Sequence, residues 1–213
     1  MISILIPHLR EQRSDDAFKI CLECIVDNTD VDYEVMIKAV AGSQGVYRAY
    51  MTMAERACGE WLLIHNNDMF LAPGWARPML DVAQLDTIVS GVLVECGAIC
   101  PANENVRMDF GMLPETFRRK EFEAWVAKNQ PWPGRPGHHA LVIVHRETFL
   151  NYGGYDLSLG EYPHVCLDQE LWGRWGKSGN QFARVRSYCY HLQQWSNPIE
   201  QTKKSRIPCE STS

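Results

Sequence analysis

Short strand-like runs alternate with segments of helical periodicity along this chain. The run at 61–64 is too short and too apolar to be anything but a central, buried strand. Apolar residues between the runs recur at helical spacing, as Met51, Ala54 and Cys58 do. This order predicts an α/β fold with a mostly parallel central sheet. The predicted strands are 2–6, 33–40, 61–64, 88–94, 140–144 and 182–190, and the predicted helices are 16–28, 47–58, 75–83, 117–125, 146–151 and 168–177.

One domain accounts for the patterned part of the chain. A length of 213 residues, with 46% hydrophobic and 22% charged residues, is ordinary for one globular domain with a core of its own. We predict a single domain over residues 1–195 and a polar, flexible C-terminal tail over 196–213. The stretch 99–138 breaks the pattern with charged, aromatic and Pro/Gly-rich segments, which is typical of a substrate-facing loop.

Charge and cysteine usage restrict the partners. A formal net charge of −5 argues against a nucleic-acid partner, and it means that a phosphorylated ligand would need a metal or local positive charge. No run has the length of a transmembrane segment, and the apolar start lacks the features of a secretory signal. The eight scattered cysteines indicate buried thiols rather than a disulfide framework. We therefore expect a cytoplasmic protein.

A polar step follows the central strand at once. His65, Asn66, Asn67 and Asp68 come directly after the apolar run 61–64. Ligands of open α/β sheets bind beyond the carboxyl ends of the strands, and a carboxylate there suits a hard cation such as Mg²⁺ or Mn²⁺. Asn and Asp equally suit a turn in which they satisfy nearby backbone groups. The residues by themselves leave both interpretations open.

An ordered set of motifs resembles the family 2 glycosyltransferases of the GT-A fold, over roughly residues 2–195. Its members are ISILIP at 2–7, ACGEWLLI at 57–64 leading into NND at 66–68, PGW at 73–75, RETF at 146–149, GGYD at 153–156 and LDQELWGR at 167–174. The NND triplet is similar to the DxD motif of that family. The resemblance implies a GT-A-like, Rossmann-type sandwich and transfer of a hexose-type sugar from a nucleotide-diphosphate sugar, most often a UDP-sugar.

The resemblance also implies a metal and a donor site. Asp68 and His191 are expected to bind a divalent cation, Mn²⁺ or Mg²⁺, that bridges the protein to the diphosphate. Asn66 stands where the family has a carboxylate, which predicts weaker metal binding and a donor contact instead. The residues expected to contact the donor nucleotide are Pro7, His8, Arg10, Arg48, Asn66 and Asn67.

Asp168 matches the catalytic base of the family. An inverting transfer needs a group that takes the proton of the acceptor hydroxyl, and a carboxylate at the start of a helix is stabilised there as an anion. The alternative is that Asp168 only caps its helix. The family has a glutamate where this chain has Leu167. His138, His139 and Trp172 are candidates for the acceptor side, where a glycan, a lipid-linked or a small-molecule acceptor would bind.

Three other functions remain open from the sequence. A nucleotidyltransferase or nucleotide-sugar hydrolase would use the same metal and diphosphate, although the first loop, 8–13, contains no glycine for a phosphate-binding turn. A non-catalytic nucleotide-sugar-binding module would explain why Asn66 and Leu167 depart from the motifs. A zinc-binding domain would use the CxxC of Cys21 and Cys24, for which no second close pair is present.

Overall fold

The computed structural model describes residues 1–9, 12–41, 45–95, 106–128, 141–160 and 166–192. Within them lie eight strands: β1 (Ile2–Leu9), β2 (Tyr33–Val40), β3 (Trp61–Ile64), β4 (Met69–Leu71), β5 (Thr87–Glu95), β6 (Val106–Arg107), β7 (Val142–His145) and β8 (Gln181–His191). The α-helices of this part are α1 (Gln12–Asn28), α2 (Val46–Arg56), α3 (Ala76–Leu80), α4 (Arg119–Val126), α5 (Arg146–Asn151) and α6 (Leu167–Lys177).

All the described strands belong to one sheet, in the order β2-β1-β3-β7-β5-β8-β4, with β6 paired to β5. The pairs β1/β2, β1/β3, β5/β6 and β5/β8 are parallel, and β3/β7, β5/β7 and β4/β8 are antiparallel. Only β7 and β4 therefore run against the others. The predicted α/β fold with a mostly parallel central sheet is confirmed, and β1, β3, β5 and β8 end at the same edge.

Helices cover both faces of this sheet. Alternate side chains of a strand point to opposite faces, so Ile4 and Ile6 of β1 lie in one core cluster and Leu5 in the other. The first cluster contains the buried residues of α1, α3 and α4, and the second those of α2, α5 and α6. The sheet is thus the middle of three layers, and its edges are left for loops.

The first strand is longer than predicted, because Pro7 does not end it. β1 continues through Pro7 to Leu9 and pairs with β2 along its whole length, and α1 begins at Gln12. The backbone N–H of Ile2 donates to the carbonyl of Asp32, on the β2 side, whereas the Leu5 carbonyl accepts from the N–H of His65, on the β3 side. The nitrogen of Pro7 therefore faces the β3 side, where β3 has already ended. A proline is tolerated in a strand where its missing N–H has no partner to lose.

Other differences are smaller. The short strands β4 and β6 were not predicted, because three and two residues are too few for a periodic pattern. Gly59 does not close α2, which ends at Arg56. The register between β5 and β8 shifts between Ser90 and Val92. No helix among the described residues is long and apolar enough to cross a membrane. The predicted tail, 196–213, lies outside the described residues.

Candidate active site

Polar side chains collect at the sheet edge where β1, β3, β5 and β8 end. His8 lies near the end of β1, His65 to Asp68 follow β3, Glu95 ends β5 and His191 ends β8. His8, His65, Asp68 and Glu95 are all buried. Buried polar groups are costly unless they have partners, so the contacts among them indicate what this edge is built to hold.

Asp68, His191 and Glu95 form a chain of contacts across three neighbouring strand ends. Nδ1 of His191 lies 2.8 Å from Oε1 of Glu95, and Nε2 of the same ring lies 3.7 Å from Oδ1 of Asp68. Met69, which follows Asp68, pairs with His191 across β4 and β8, and Glu95 pairs with His191 across β5 and β8. The imidazole is therefore held between two buried carboxylates.

These charges shift the pKa values of both partners. Burial by itself raises the pKa of Asp68, but the charge and hydrogen bond of His191 bring it below its ordinary value. Burial by itself lowers the pKa of His191, but the carboxylates of Asp68 and Glu95 raise it to about 10. The two carboxylates thus favour the protonated form of the imidazole, and a cation that bound Nε2 would have to displace the proton there.

The spacing of Asp68 and His191 fits two ligands of one cation. Ligand atoms that each stand about 2.1 Å from a metal lie at most ~4.2 Å apart, which exceeds the separation of these two atoms. No three His, Cys, Asp or Glu side chains of the described residues are arranged as a complete metal site. A carboxylate and an imidazole with open positions suit a cation that also binds phosphate oxygens and water. Cys21 and Cys24 likewise have no third His, Cys, Asp or Glu of the described residues beside them that would complete a zinc site.

Asn66 is exposed at the same edge and is oriented by α2. The hydroxyl of Tyr50 donates to Oδ1 of Asn66 at 2.8 Å, and it also lies 3.0 Å from the carbonyl oxygen of His65. The amide oxygen of Asn66 is therefore tied to the protein, and its NH₂ group is the part available to a ligand. This arrangement is compatible with the predicted donor contact.

His8 and Asn67 bind one another instead of facing solvent. Nδ2 of Asn67 lies 3.1 Å from Nδ1 of His8, and Nε2 of His8 lies 2.9 Å from Oδ1 of Asp15. Because the Asn67 amide donates, Nδ1 of His8 accepts and Nε2 carries the proton. Asn67 also donates to Ser14, and the His8 ring stacks on Phe18 with centroids 4.1 Å apart. Both predicted nucleotide contacts thus brace the loop after β3 against α1.

Asp168 lies in the first turn of α6, and two tyrosines hold its carboxylate. Tyr155 donates to Oδ1 at 2.8 Å and Tyr47 donates to Oδ2 at 3.2 Å. The N-cap residue of α6 is Cys166, so the alternative in which Asp168 caps the helix is wrong. The rings of Tyr47 and Tyr155 pack with centroids 4.8 Å apart, which orders both hydroxyls.

Tyr50 connects the two halves of this edge. Burial raises the pKa of Tyr50, and the charges of Asp168 and Asp68 raise it further. Its ring lies 6.0 Å from that of Tyr155, the residue that binds Asp168. The Tyr50 hydroxyl contacts the loop that carries Asp68, and its ring lies beside the tyrosine that binds Asp168. Tyr50 thus joins the two groups of polar residues into one crevice, with Asp68 and His191 on one side and Asp168 on the other.

Of the remaining predicted residues, the structure describes three. Arg48 is exposed in the first turn of α2, and Pro7 is buried within β1. Trp172 packs in the second core cluster and is only 6% exposed, although its indole N–H has no hydrogen-bond partner among the described residues. Arg10, His138 and His139 lie outside the described residues.

Sequence reasoning missed Glu95 and the three tyrosines. Glu95 ends a nine-residue strand that is buried throughout, and a carboxylate after such a strand is a signal of the same kind as Asp68. Tyr47 and Tyr50 lie on the buried face of α2 and resemble ordinary core residues in the sequence. Only their hydroxyl contacts distinguish them from packing residues.

The architecture is that of the GT-A glycosyltransferases. The chain aligns with a solved structure described as "Crystal structure of GalNAc-T7 with UDP, GalNAc and Mn2+", with a TM-score of 0.61 and 12% identity, over 90% of this chain and 43% of that chain. At this identity the likeness establishes the fold alone. The predicted GT-A-like fold is confirmed.

A curated relative is also similar in sequence. The chain is 26% identical over 136 residues to the Drosophila melanogaster protein named "Putative inactive polypeptide N-acetylgalactosaminyltransferase 11". The match covers 61% of this chain, and the chain spans about a quarter of that relative, 24% of its length. No family model matches the chain. These likenesses support a GT-A glycosyltransferase, but not family 2 in particular.

Proposed function

We propose that this chain is a metal-dependent glycosyltransferase domain. It moves a hexose-type sugar from a nucleotide-diphosphate sugar, a UDP-sugar foremost, to an acceptor hydroxyl. The observation that carries the proposal is that the Asp68–His191 pair and Asp168 are joined through Tyr50, whose hydroxyl donates to Asn66 and whose ring packs beside Tyr155, the partner of Asp168. The GalNAc-T7 structure, described with UDP, GalNAc and Mn²⁺, supports the choice of UDP and of Mn²⁺.

The donor side is formed by Asp68, His191 and Asn66. Asp68 and His191 would hold a divalent cation, which when bound would supply positive charge for the leaving diphosphate. Asn66 offers its amide N–H groups to the donor, because Tyr50 occupies its oxygen. The bracing of Asn67 by His8 and Ser14 keeps the loop that carries Asp68 in one conformation. Pre-organisation of this kind lowers the cost of binding.

The acceptor side is formed by Asp168. Its carboxylate takes the proton of the acceptor hydroxyl as that oxygen bonds to the anomeric carbon, and the bond from that carbon to the diphosphate oxygen breaks. Attack from the face opposite the leaving group inverts the anomeric configuration. Tyr155 and Tyr47 fix both carboxylate oxygens, which orients the base. The acceptor is a glycan, a lipid-linked or a small-molecule alcohol.

A second candidate is a nucleotide-sugar-binding domain without transferase activity. Two observations favour it: the curated relative is named inactive, and Asn66 replaces a carboxylate of the DxD motif. The same scaffold with water in place of the acceptor would act as a nucleotide-sugar hydrolase.

The cytoplasmic location stays a prediction.

A panel of nucleotide sugars tests these functions. UDP-GalNAc, UDP-glucose, GDP-mannose and dTDP-glucose are each supplied with Mn²⁺, with Mg²⁺ or with chelator, with and without a pool of alcohol acceptors. Thermal shift reports binding, because a ligand that binds only the folded state stabilises it. Release of free nucleotide reports turnover. We expect a UDP-sugar with Mn²⁺ to give both a shift and acceptor-dependent release.

Asp168→Asn separates transfer from binding. The variant should retain the donor-induced thermal shift and lose turnover by about 100-fold or more, because general base catalysis contributes about that much. Near-normal turnover would exclude Asp168 as the base. A thermal shift without release from any donor would favour the binding domain, and release without an acceptor would favour the hydrolase.

A further inference from the structure

Glu95 is the least exposed carboxylate of the crevice, and the proposed function gives it no role. It is 3% exposed at the end of β5, a strand with no exposed residue. A buried carboxylate is costly unless it has a hydrogen-bond or charge partner. Its hydrogen bond to Nδ1 of His191, at 2.8 Å, supplies that partner.

This hydrogen bond decides which nitrogen of His191 is open to a cation. A carboxylate that accepts from Nδ1–H keeps the proton on that nitrogen, so the lone pair of the neutral ring lies on Nε2. Nε2 is the atom that faces Oδ1 of Asp68, at 3.7 Å. Glu95 and Asp68 therefore contact opposite nitrogens of one ring. The imidazole ring would therefore separate Glu95 from a cation bound by Asp68 and Nε2.

We propose that Glu95 is a positioning residue for metal binding: it holds His191 with Nε2 directed at the cation shared with Asp68 and is not itself a ligand. The inference rests on the proposed function, because it needs the Asp68–His191 pair to bind a metal. Strand pairing supports it, since Glu95 lies directly opposite His191 across β5 and β8, and Met69 does so across β4 and β8. The backbone therefore sets the geometry of the whole contact chain.

Calorimetric titration of Mn²⁺ into the UDP-saturated protein tests this assignment. Glu95→Gln keeps the shape of the side chain without its charge, and Glu95→Leu also removes the acceptor atom. We expect Mn²⁺ affinity to fall about 10-fold in the first variant and about 100-fold in the second, the range found when outer partners of metal ligands are lost. Glu170→Gln is the matched control, because Glu170 is a partly buried carboxylate that pairs with Arg174 instead. Its Mn²⁺ affinity should equal that of the unmodified protein.

A second measurement, the protonation of the two His191 ring nitrogens, tests the proposal if one Glu95 variant folds poorly. The ¹⁵N spectrum of the histidine rings is recorded with diamagnetic Mg²⁺ and UDP. The unmodified protein should have Nδ1 of His191 protonated and Nε2 without a proton, and Glu95→Leu should lose this fixed tautomer because it offers no acceptor to Nδ1–H. Unchanged Mn²⁺ affinity together with an unchanged tautomer in the Glu95 variants overturns the proposal. If the unmodified protein binds no Mn²⁺ with UDP, the metal in the proposed function is overturned as well. If it binds Mn²⁺ and His191→Ala binds it equally well, the cation lies away from His191 and the role of Glu95 is overturned.

Discussion

The hydroxyl of Tyr155 donates a 2.8 Å hydrogen bond to Oδ1 of Asp168, the proposed base, from within a cluster of buried aromatic rings. Tyr155 is 2% exposed, so the donor side of this partly buried bond is shielded from water. The partners are 13 residues apart in sequence, and the GGYD motif that carries Tyr155 thus acts on the helix that carries Asp168. The motif is therefore a support for the base and not only a turn.

Tyr155→Phe should slow transfer more than it weakens donor binding. The change removes one hydroxyl from a carboxylate, and hydrogen bonds to charged groups contribute about 1.5–3 kcal/mol. We expect kcat to fall about 10-fold as Asp168 loses its orientation, with the donor KM within about two-fold. Steady-state kinetics with the best donor of the panel measures both.

Tyr152→Phe is the matched control for that prediction. Its hydroxyl donates to the Arg174 carbonyl at 2.6 Å, outside the crevice, so the variant should lose stability without loss of kcat. Tyr47→Phe should have a smaller effect than Tyr155→Phe, because its hydrogen bond is longer, at 3.2 Å. Equal kcat for Tyr155→Phe and the unmodified protein would mean that Asp168 needs no such support.

Asn66→Asp should strengthen metal binding. The substitution is isosteric, and Tyr50 can still donate to the new carboxylate as it does to the amide oxygen. A second carboxylate beside Asp68 restores the charge that the DxD motif of the family provides, and metal affinity rises with the charge of the ligands. Titration with Mn²⁺ should give about 10-fold tighter binding, since ~1.4 kcal/mol is a factor of 10. Unchanged affinity would place residue 66 away from the cation.

Metal removal should lower the thermal midpoint only when nucleotide is present. A cation shared between Asp68, His191 and a diphosphate binds weakly without the diphosphate, because the protein supplies two ligands. At about 100 times its Kd, a ligand stabilises the folded state by ~2.7 kcal/mol. Scanning fluorimetry with UDP, Mn²⁺ and chelator measures the difference. Asp68→Asn should abolish it, and a chelator effect that persists in this variant would contradict the assignment.

His65 predicts an acid-sensitive fold. Burial lowers the pKa of His65 to about 4, and its Nε2 lies 3.1 Å from the carbonyl oxygen of Met69 while Nδ1 has no hydrogen-bond partner in the described part of the chain. The unfolded chain binds a proton at His65 below about pH 6.5, whereas the folded protein does so only near pH 4. This residue therefore removes stability as the pH falls from 6.5 to 4, by on the order of 3 kcal/mol in total.

Urea denaturation at several pH values measures that loss in the absence of metal. His65→Gln removes the titrating group, so its free energy of unfolding should fall less steeply between pH 6.5 and 4 than that of the unmodified protein. The comparison is made as a difference between the two proteins, because carboxylates such as Asp68 titrate in both. Parallel curves would mean that His65 is not responsible.

The sequence predicts the fold of this protein better than it predicts the site. Apolar runs such as 61–64 identify buried strands, and polar residues that follow them, such as Asp68, point to the edge where ligands bind. The predicted end of the first strand before Pro7 was wrong, because a proline ends a strand only where a neighbouring strand needs the N–H that proline lacks. Glu95 and Tyr50 were missed because their roles depend on strand pairing and on hydroxyl direction, neither of which has a periodic signature.

The register shift between β5 and β8 affects whether this segment tolerates deletions. Ile88 lies opposite Phe182, an offset of 94, whereas Glu95 lies opposite His191, an offset of 96. If the first register continued, Glu95 would face Cys189 and His191 would lie two residues beyond the end of β5. The extra length of β8 between 184 and 188 is thus what brings the histidine to its carboxylates. Deletions in this segment should be less tolerated than substitutions, because they would shift His191 relative to Glu95.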